Sequence, residues 1–342
     1  MRPTPGRMIR RWLRPAVTGA VALIALAMST AAASPPVSID PGSGAAGADA
    51  SPRTPLPGFL LDRGRYIKFD APGAATSTGP DGINNHGVIS GTYNTADADE
   101  TYHGFLRDAQ GRFNTIDLPG AGATVVRKIN DRGQVVGRYY QAPPFHGPDV
   151  KFRGFMLDRG RVTRIDVPGA VTTQAVGINN RGQVVGECLD AAGVFHGFFW
   201  EAGRFTVIDR PGATGTSLTA INDRGQILGE SSDSAGAGHG FLLDRGCYTG
   251  IDAPGVPFTF VYDLNDRGQV VGFVASDSSI QTGVRGFLLA GGAGGPFTWV
   301  DVPGAPQDGV IGLNDRGQLV GQYQNTSPTS AKSPIAIQSQ QG

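Results

Sequence analysis

Hydrophobic residues along this chain come in short β-branched and aromatic runs, separated by glycine, proline and Asp-Arg-Gly clusters. One stretch shows the pattern clearly, with successive runs at Gly154–Leu157, Val162–Asp166, Thr173–Ile178 and Gln183–Cys188. Such runs, bounded by turn residues, are typical of strands. No stretch repeats its apolar residues at the 3.6-residue spacing of a helix. The pattern therefore predicts units of four short strands and almost no helix.

This unit recurs six times. Each copy contains Gly-Phe followed by an apolar residue, then Asp-x-Pro-Gly, then an Ile/Leu-Asn turn and a strand that closes on glycine. The repeat asparagines are Asn84, Asn130, Asn179, Asn222, Asn265 and Asn314. Four-stranded units at a period of this size build solenoids or propellers. A superhelical solenoid is the competing architecture, but the lack of obvious capping repeats favours a closed ring. We predict an all-β, six-bladed β-propeller of four-stranded antiparallel blades.

The spacing between motifs predicts where each blade begins. From the proline of Pro-Gly to the Ile/Leu before the asparagine there are always 10 or 11 residues, whereas the closing glycine and the next Gly-Phe are 11 to 17 residues apart. A constant length suits a crossover between blades, and a variable length suits a loop within a blade. The asparagine hairpin should therefore come first in each blade. The last blade would then combine Val310–Tyr323 with Gly58–Asp70 and close the ring.

The two ends of the chain differ from the repeats. Residues 1–33 combine a basic start with an apolar stretch and a small-residue cleavage site, which indicates a secretory signal peptide; an uncleaved anchor is the alternative. We predict a flexible linker over 34–57, the propeller over 58–323 and a disordered tail over 324–342. The whole chain holds 29 basic and 29 acidic residues, and loss of the signal with its five Arg leaves a net charge of −5. This balance argues against a nucleic-acid partner.

Residues that differ between repeats are the better candidates for function, because a structural role is needed in every copy. Two variable loops carry such residues, and strand alternation places both on one face. The candidate ligand-binding residues are Asp97, Asp99, Glu100, Phe145, His146 and Asp149. They could grip a ligand or coordinate Ca²⁺ through oxygen atoms, or they could be solvated loop residues. No motif fixes their spacing, so no catalytic residue is assigned.

An aspartate precedes Pro-Gly in every copy: Asp70, Asp117, Asp166, Asp209, Asp252 and Asp301. Because all six copies keep it, we expect these carboxylates to be structural and to accept backbone N–H groups of the turn that follows. A ring of carboxylates that binds a cation or sugar hydroxyls is the alternative. Histidine precedes Gly-Phe at His103, His196 and His239. A metal role there is open, although equivalent positions converge only near the axis. Two cysteines, Cys188 and Cys247, occupy different repeat positions, which favours separate thiols over a disulfide.

The His-Gly-Phe and Ile-Asn-Asp-Arg-Gly-Gln-φ-φ-Gly patterns resemble the extracellular bacterial repeat proteins of the HAF family, over Gly58–Tyr323. The chain has Gly where the family motif has Ala, and it keeps the histidine only at His103, His196 and His239. The resemblance implies export from a bacterium and a propeller-like fold. It implies no catalytic residues.

Together these features indicate a secreted, non-catalytic binding propeller. It should be monomeric, free of the membrane after signal cleavage and without an obligatory cofactor. Its partner would be an extracellular glycan or protein on the variable-loop face. A glycan-active hydrolase or lyase that uses acids of the same loops is the alternative function.

Overall fold

The computed structural model describes residues 56–96, 101–142, 150–276 and 283–324. The predicted signal peptide, most of the predicted linker and nearly all of the predicted tail lie outside these ranges. Within them the chain forms 24 strands in six separate four-stranded antiparallel sheets, and no helix. Accordingly, the described ranges contain no helical segment of the length and hydropathy that a membrane span requires. The predicted six-bladed β-propeller is confirmed.

The blades are numbered in chain order, and the strands of each blade are given from the innermost to the outermost. Blade 1 comprises β3 (Thr78–Ile83), β4 (Ile89–Asn94), β5 (Tyr102–Arg107) and β6 (Phe113–Ile116), and blade 2 comprises β7 (Ala123–Ile129), β8 (Val135–Tyr140), β9 (Arg153–Asp158) and β10 (Arg161–Ile165). Blade 3 comprises β11 (Thr172–Ile178), β12 (Val184–Leu189), β13 (Phe195–Glu201) and β14 (Arg204–Val207), and blade 4 comprises β15 (Gly215–Ile221), β16 (Ile227–Ser232), β17 (Gly238–Asp244) and β18 (Cys247–Ile251). Blade 5 comprises β19 (Phe258–Leu264), β20 (Val270–Ala275), β21 (Arg285–Leu289) and β22 (Phe297–Val300), and blade 6 comprises β23 (Asp308–Leu313), β24 (Leu319–Tyr323), β1 (Gly58–Asp62) and β2 (Arg65–Phe69).

Blade 6 closes the ring as the motif spacing predicts. Its two outer strands come from the start of the repeat region and its two inner strands from the end, joined where β1 pairs antiparallel with β24. Gly58 lies opposite Gln322, and Leu61 lies opposite Leu319. The predicted order, with the asparagine hairpin first in each blade, is confirmed.

The Gly-Phe and closing-glycine motifs form the core of each blade. The six phenylalanines of Gly-Phe are at most 1% exposed. Each packs on the closing glycine of the neighbouring strand, where a Cβ atom would stand 3.0 Å or less from the phenyl ring and 2.6 Å or less from a backbone carbonyl oxygen. Only glycine fits there, which explains why both motifs recur together.

The two hairpins of each blade turn on the same side of the disc, which we call the turn face; the opposite side, with the variable loops and the Pro-Gly links, is the loop face. The asparagine hairpins are closed by a glycine at positive φ, such as Gly133 at 78°. Four of the outer hairpins instead have a two-residue turn in which both residues have positive φ, as Arg159 and Gly160 do at 50° and 81° between the paired residues Asp158 and Arg161. Such type I′ turns match the right-handed twist of the strands.

The two cysteines are both free thiols, Cys188 buried and Cys247 exposed. Burial, helped by the nearby carboxylates Asp209, Glu187 and Asp190, raises the pKa of Cys188 to about 11. That thiol therefore stays protonated and behaves as a small core residue.

Candidate binding site on the propeller axis

A closed ring of asparagine side chains surrounds the axis at the turn face. Each repeat asparagine donates from Nδ2 to the backbone carbonyl oxygen of the equivalent asparagine in the next blade, over 2.9–3.2 Å. Its Oδ1 accepts two backbone N–H groups of its own turn, as Asn179 does from Arg181 and Gln183. All six side chains are buried. One residue type therefore both closes each hairpin and joins each blade to the next.

A second ring is built from the residues that follow: Asn85, Asp131, Asn180, Asp223, Asp266 and Asp315. The backbone N–H of each donates to a side-chain oxygen of the next, over 2.7–2.9 Å. Asn85 and Asn180 also donate Nδ2 bonds to the carboxylates on either side of them. Asp266 instead lies between two carboxylates. Burial and the charges of Asp223 and Asp315 raise the pKa of Asp266, although the Asp223 N–H bond opposes the shift.

Lys128 crosses the axis just inside these rings. Its Nζ, from blade 2, lies 2.9 Å from Asp263 Oδ2 of blade 5 and donates to the Ile311 carbonyl oxygen of blade 6 at 2.9 Å. A cavity of about 80 Å³ lies between this pair and the rings. Most of its lining residues are the repeated ones, so we interpret this cavity as part of ring closure.

Farther toward the loop face, the axis is lined by residues that differ in every blade. Each innermost strand has a β-bulge, and the bulge leaves one residue, or in blade 2 two, without a partner on the second strand. Six such residues, one per blade, line a single cavity of about 30 Å³: Asp81, Arg127, Val176, Thr219, Tyr262 and Ile311. Each stands three residues before the repeat asparagine. The same β-bulge in every blade thus presents six different side chains to one cavity.

The residue after each closing glycine also varies, and only blades 3 and 4 share one residue type: Thr92, Arg138, Glu187, Glu230, Phe273 and Gln322. Five of them bond to the innermost strand of the next blade. Ser217 Oγ donates to Glu187 Oε2 at 2.6 Å, and the Val261 N–H donates to Glu230 Oε1 at 2.8 Å. Arg138 bonds to Gln174. Thr92 and Gln322 bond to backbone atoms of the following blade. These side chains hold adjacent blades together around the axial cavity.

Charge and apolar surface are unevenly distributed around this cavity. Blade 2 supplies Arg127 to its lining, and blade 3 supplies Glu187. Blade 5 supplies Tyr262, whose ring packs on Phe273 with 5.4 Å between the ring centroids. Arg127 is paired with Asp81, with 2.8 Å between Nη1 and Oδ1. A few polar groups beside aromatic rings are the usual composition of a ligand site.

Glu230 predicts a pH dependence of stability. Burial, together with the negative charge of Glu187, raises its pKa to about 8, above the value of about 4.5 that an exposed glutamate has. Folding therefore favours the protonated form, and stability should decline as the pH rises from about 4.5 until the group has ionised above pH 8. Glu230→Gln should flatten this decline, because an amide does not ionise. Glutamine should also fit the site, since it is the residue at the equivalent position, Gln322.

Urea unfolding at a series of pH values measures this effect. Wild type should lose stability relative to Glu230→Gln by an amount on the order of a few kcal/mol between pH 5 and pH 8. Glu201→Gln, at an exposed glutamate, is the control and should follow wild type. Parallel curves for wild type and Glu230→Gln would show that Glu230 is ionised throughout.

The six loop residues that the sequence nominates, Asp97, Asp99, Glu100, Phe145, His146 and Asp149, lie outside the described residues. Their role stays a prediction. Tyr93 and Tyr102 flank the first of these loops on β4 and β5, and they line a second cavity of about 30 Å³ that shares Asp81, Arg127 and Ile311 with the axial one. The described end of this loop therefore adjoins the axial residues.

The aspartates before Pro-Gly have different partners from those expected. Asp117 and Asp209 accept from Nδ1 of His103 and His196 at 3.0 and 2.8 Å. Asp252 lies 3.3 Å from His239, and Asp301 forms two bonds with Arg285. In each blade the first N–H after the aspartate goes instead to a residue of the innermost strand: Thr78, Thr124, Thr173, Thr216, Thr259 or Asp308. The first amide of the following turn is therefore bound by another side chain, and the structural role of these six aspartates stays a prediction.

The positions of these aspartates and histidines do not favour a shared metal site. The six aspartates follow the outermost strands, far from the axis, so they form no common ring. Each of the three histidines contacts an aspartate of its own blade. Among the described residues, no group of three or more His, Cys, Asp or Glu side chains is arranged to hold a metal ion. The predicted Ca²⁺ option rests on loop acids outside the described ranges and is not tested.

Sequence comparisons give no family, since no protein-family model and no curated protein matches the chain. Among solved structures, the chain is similar to a putative TolB from Agrobacterium tumefaciens, with a TM-score of 0.61 and 12% identity over 80% of this chain and 99% of that one. It is also similar to TolB from Acinetobacter baumannii (TM-score 0.48, 11% identity, 79% and 65% of the two chains). A mutant Aleuria aurantia lectin in complex with alpha-methyl-L-fucoside is a further match (TM-score 0.42, 13% identity, 69% and 83%). At these identities the first likeness supports the propeller fold alone.

Proposed function

We propose that this chain is a secreted, non-catalytic binding propeller whose ligand docks on the loop face, over the axis. The observation that carries the proposal is the set of six bulge residues. They occupy one position of the repeat, three residues before an asparagine that every copy keeps; they all differ, and they line one cavity. A residue needed only for folding would be expected to recur, as the asparagine of the rings does. Different side chains at equivalent positions are what recognition of an asymmetric ligand requires.

The ligand that fits this surface best is a glycan of the cell surface or the environment. Carboxyl, hydroxyl, amide and guanidinium groups beside aromatic rings can bond sugar hydroxyls and cover the apolar face of a sugar ring. The loop residues Asp97, Asp99, Glu100, Phe145, His146 and Asp149 would extend the contact outward. An extracellular protein is the other partner that the sequence predicts. Export from a bacterium and a monomeric state are also part of the proposal. The resemblance to the HAF family supports the first of them.

A glycan array probed with the full chain tests this proposal. Two variants locate the contact: one with the six loop residues changed to alanine, and a turn-face control with Arg132, Arg181 and Arg267 changed to alanine. Binding should fall at least tenfold in the first variant and stay unchanged in the control. Loss of binding only in the turn-face variant would contradict the proposal. Cleavage of a bound glycan by the chain would also contradict it and would favour the hydrolase or lyase alternative.

A further inference from the structure

Three buried polar atoms in the axial cavity have no hydrogen-bond partner. They are Arg127 Nε, Glu187 Oε1 and Thr219 Oγ1, and they come from three different blades. Their residues are 6%, 2% and 4% exposed, and all three line the same 30 Å³ cavity. Leaving such atoms unpaired costs about 1–3 kcal/mol each. Three of them meeting at one cavity indicates that something else satisfies them.

The chemistry of these atoms restricts what can fill the cavity. The Arg127 guanidinium can only donate, so the occupant must accept a hydrogen bond. This excludes an ammonium group, which has no acceptor. Burial raises the pKa of Glu187, against the opposing effects of the Ser217 bond and of the arginines. Whether that carboxyl donates or accepts, a hydroxyl can match it, because a hydroxyl does both, and the Thr219 hydroxyl adapts in the same way. An apolar methyl would leave all three atoms unpaired.

Size restricts the occupant further. The cavity of about 30 Å³ exceeds the roughly 10–15 Å³ that one water molecule needs, so it has room for about two water-sized groups. A sugar ring does not fit, but an exocyclic hydroxymethyl arm does. The second cavity, at the loop-face end, would lie beneath the ring, and Tyr93 and Tyr102 form part of its wall. A single water molecule is the competing occupant, and it has the same hydrogen-bonding capacity.

We propose that the axial cavity is a subsite for the primary hydroxymethyl group of a sugar, bonded by Arg127, Glu187 and Thr219. This inference rests on the proposed function, of which it names the ligand class: a hexose unit with a free primary alcohol. The sugar ring would stay at the loop-face mouth of the axis, and only its hydroxymethyl arm would enter.

Paired sugars that differ in one oxygen atom test the subsite. D-Glucose, D-mannose and D-galactose are each compared with the 6-deoxy counterpart by NMR titration of the full chain. The 6-deoxy sugar has nearly the same shape, but it places a methyl group against three polar atoms. For the hexose that binds, removal of the hydroxyl should weaken affinity at least about tenfold, which corresponds to one hydrogen bond to a charged group.

The variant Thr219→Val tests whether the preference for the hydroxymethyl group arises in this cavity. Valine is the natural residue at the equivalent Val176, and Thr219 Oγ1 has no protein partner to lose, so the variant should keep the wild-type melting temperature. It should lower the preference for the parent hexose over its 6-deoxy form, whereas Thr206→Val, on the exposed strand β14, should keep that preference.

The outcomes separate this inference from the function on which it rests. Equal affinity for hexose and 6-deoxyhexose would overturn the subsite and leave glycan binding in place. It would mean that water fills the cavity. An unchanged preference in Thr219→Val would also overturn it. If no hexose binds at 100 mM while the array also shows no glycan, both the subsite and the glycan proposal fail.

Discussion

Replacement of Asn179 by alanine is expected to lower the free energy of unfolding by about 3 kcal/mol or more. The side chain is 3% exposed and makes four hydrogen bonds: two accepted from its own turn, one donated to Gln183 and one donated to the Asn222 carbonyl oxygen. Alanine leaves several buried partners unsatisfied, at about 1–3 kcal/mol for each one that water cannot reach. Urea unfolding at equilibrium measures the loss.

Two further variants show whether the ring itself is responsible. Asn84→Ala should cost less than Asn179→Ala, because Val88 takes the place of the glutamine that bonds the other asparagines, so one bond is missing from the start. Arg181→Ala, at an exposed turn position, should change stability by less than about 0.5 kcal/mol. A loss below 1 kcal/mol for Asn179→Ala would mean that the ring is incidental to closure.

Removal of Asp263 should be about as damaging, for a different reason. Asp263→Ala takes away the carboxylate that neutralises Lys128 on the axis, and it also removes the acceptor of the Leu313 N–H. Breaking one side of a buried ion pair typically costs 3–5 kcal/mol, because the other charge is left unpaired in a poorly hydrated place. Thermal or urea unfolding of the single variant should show a loss of this order.

The double variant Lys128→Ala/Asp263→Ala should recover most of that loss. Blade 4 already has Ala220 at the equivalent position, and blades 1, 3 and 6 have glycine, so a small residue fits the backbone there. Replacing both partners of a buried pair is often nearly neutral. If the double variant is as unstable as the sum of the two single variants, the charges do not act as a pair.

The architecture could be predicted because it depends on local features that recur. The four strands of one repeat show in the runs Gly154–Leu157 to Gln183–Cys188, and those runs match β9 to β12 within one residue at each end, although the blade boundary falls between β10 and β11. The order of the two hairpins within a blade followed from the constant length of the Pro-Gly links. Closure by the pairing of β1 with β24 followed from that order, because it leaves one hairpin without a blade at each end of the repeat region.

The two rings could not be predicted in the same way. A repeat asparagine before Asp-Arg-Gly indicates a turn, and the turn is present. Its second role, donation from Nδ2 to the next blade, depends on how closely neighbouring blades approach. One signal does exist: a turn alone would tolerate aspartate or serine at this position, but all six copies have asparagine. Such identity indicates that the amide donor, as well as the acceptor, is used.

The axial residues were missed because the bulge conceals them. Alternation along a strand would assign Arg127 or Thr219 to a face only if the strand were regular, and a bulge reverses the assignment at that point. The repeats differ within their strands as well as in their loops, since the position three residues before each asparagine holds Asp, Arg, Val, Thr, Tyr and Ile. That variation is the signal in the sequence for the proposed axial site.

A ligand site on the loop face is tested most directly by amide hydrogen exchange of the full chain with and without the tightest glycan found on the array. We expect new protection at the loop-face end of the axis, in Ser77–Gly79 and in Tyr93 and Tyr102 beside the first variable loop, and no change in the turns at Asn130–Gly133. Protection confined to those turns and their equivalents would place the ligand on the opposite face and rule out a loop-face site.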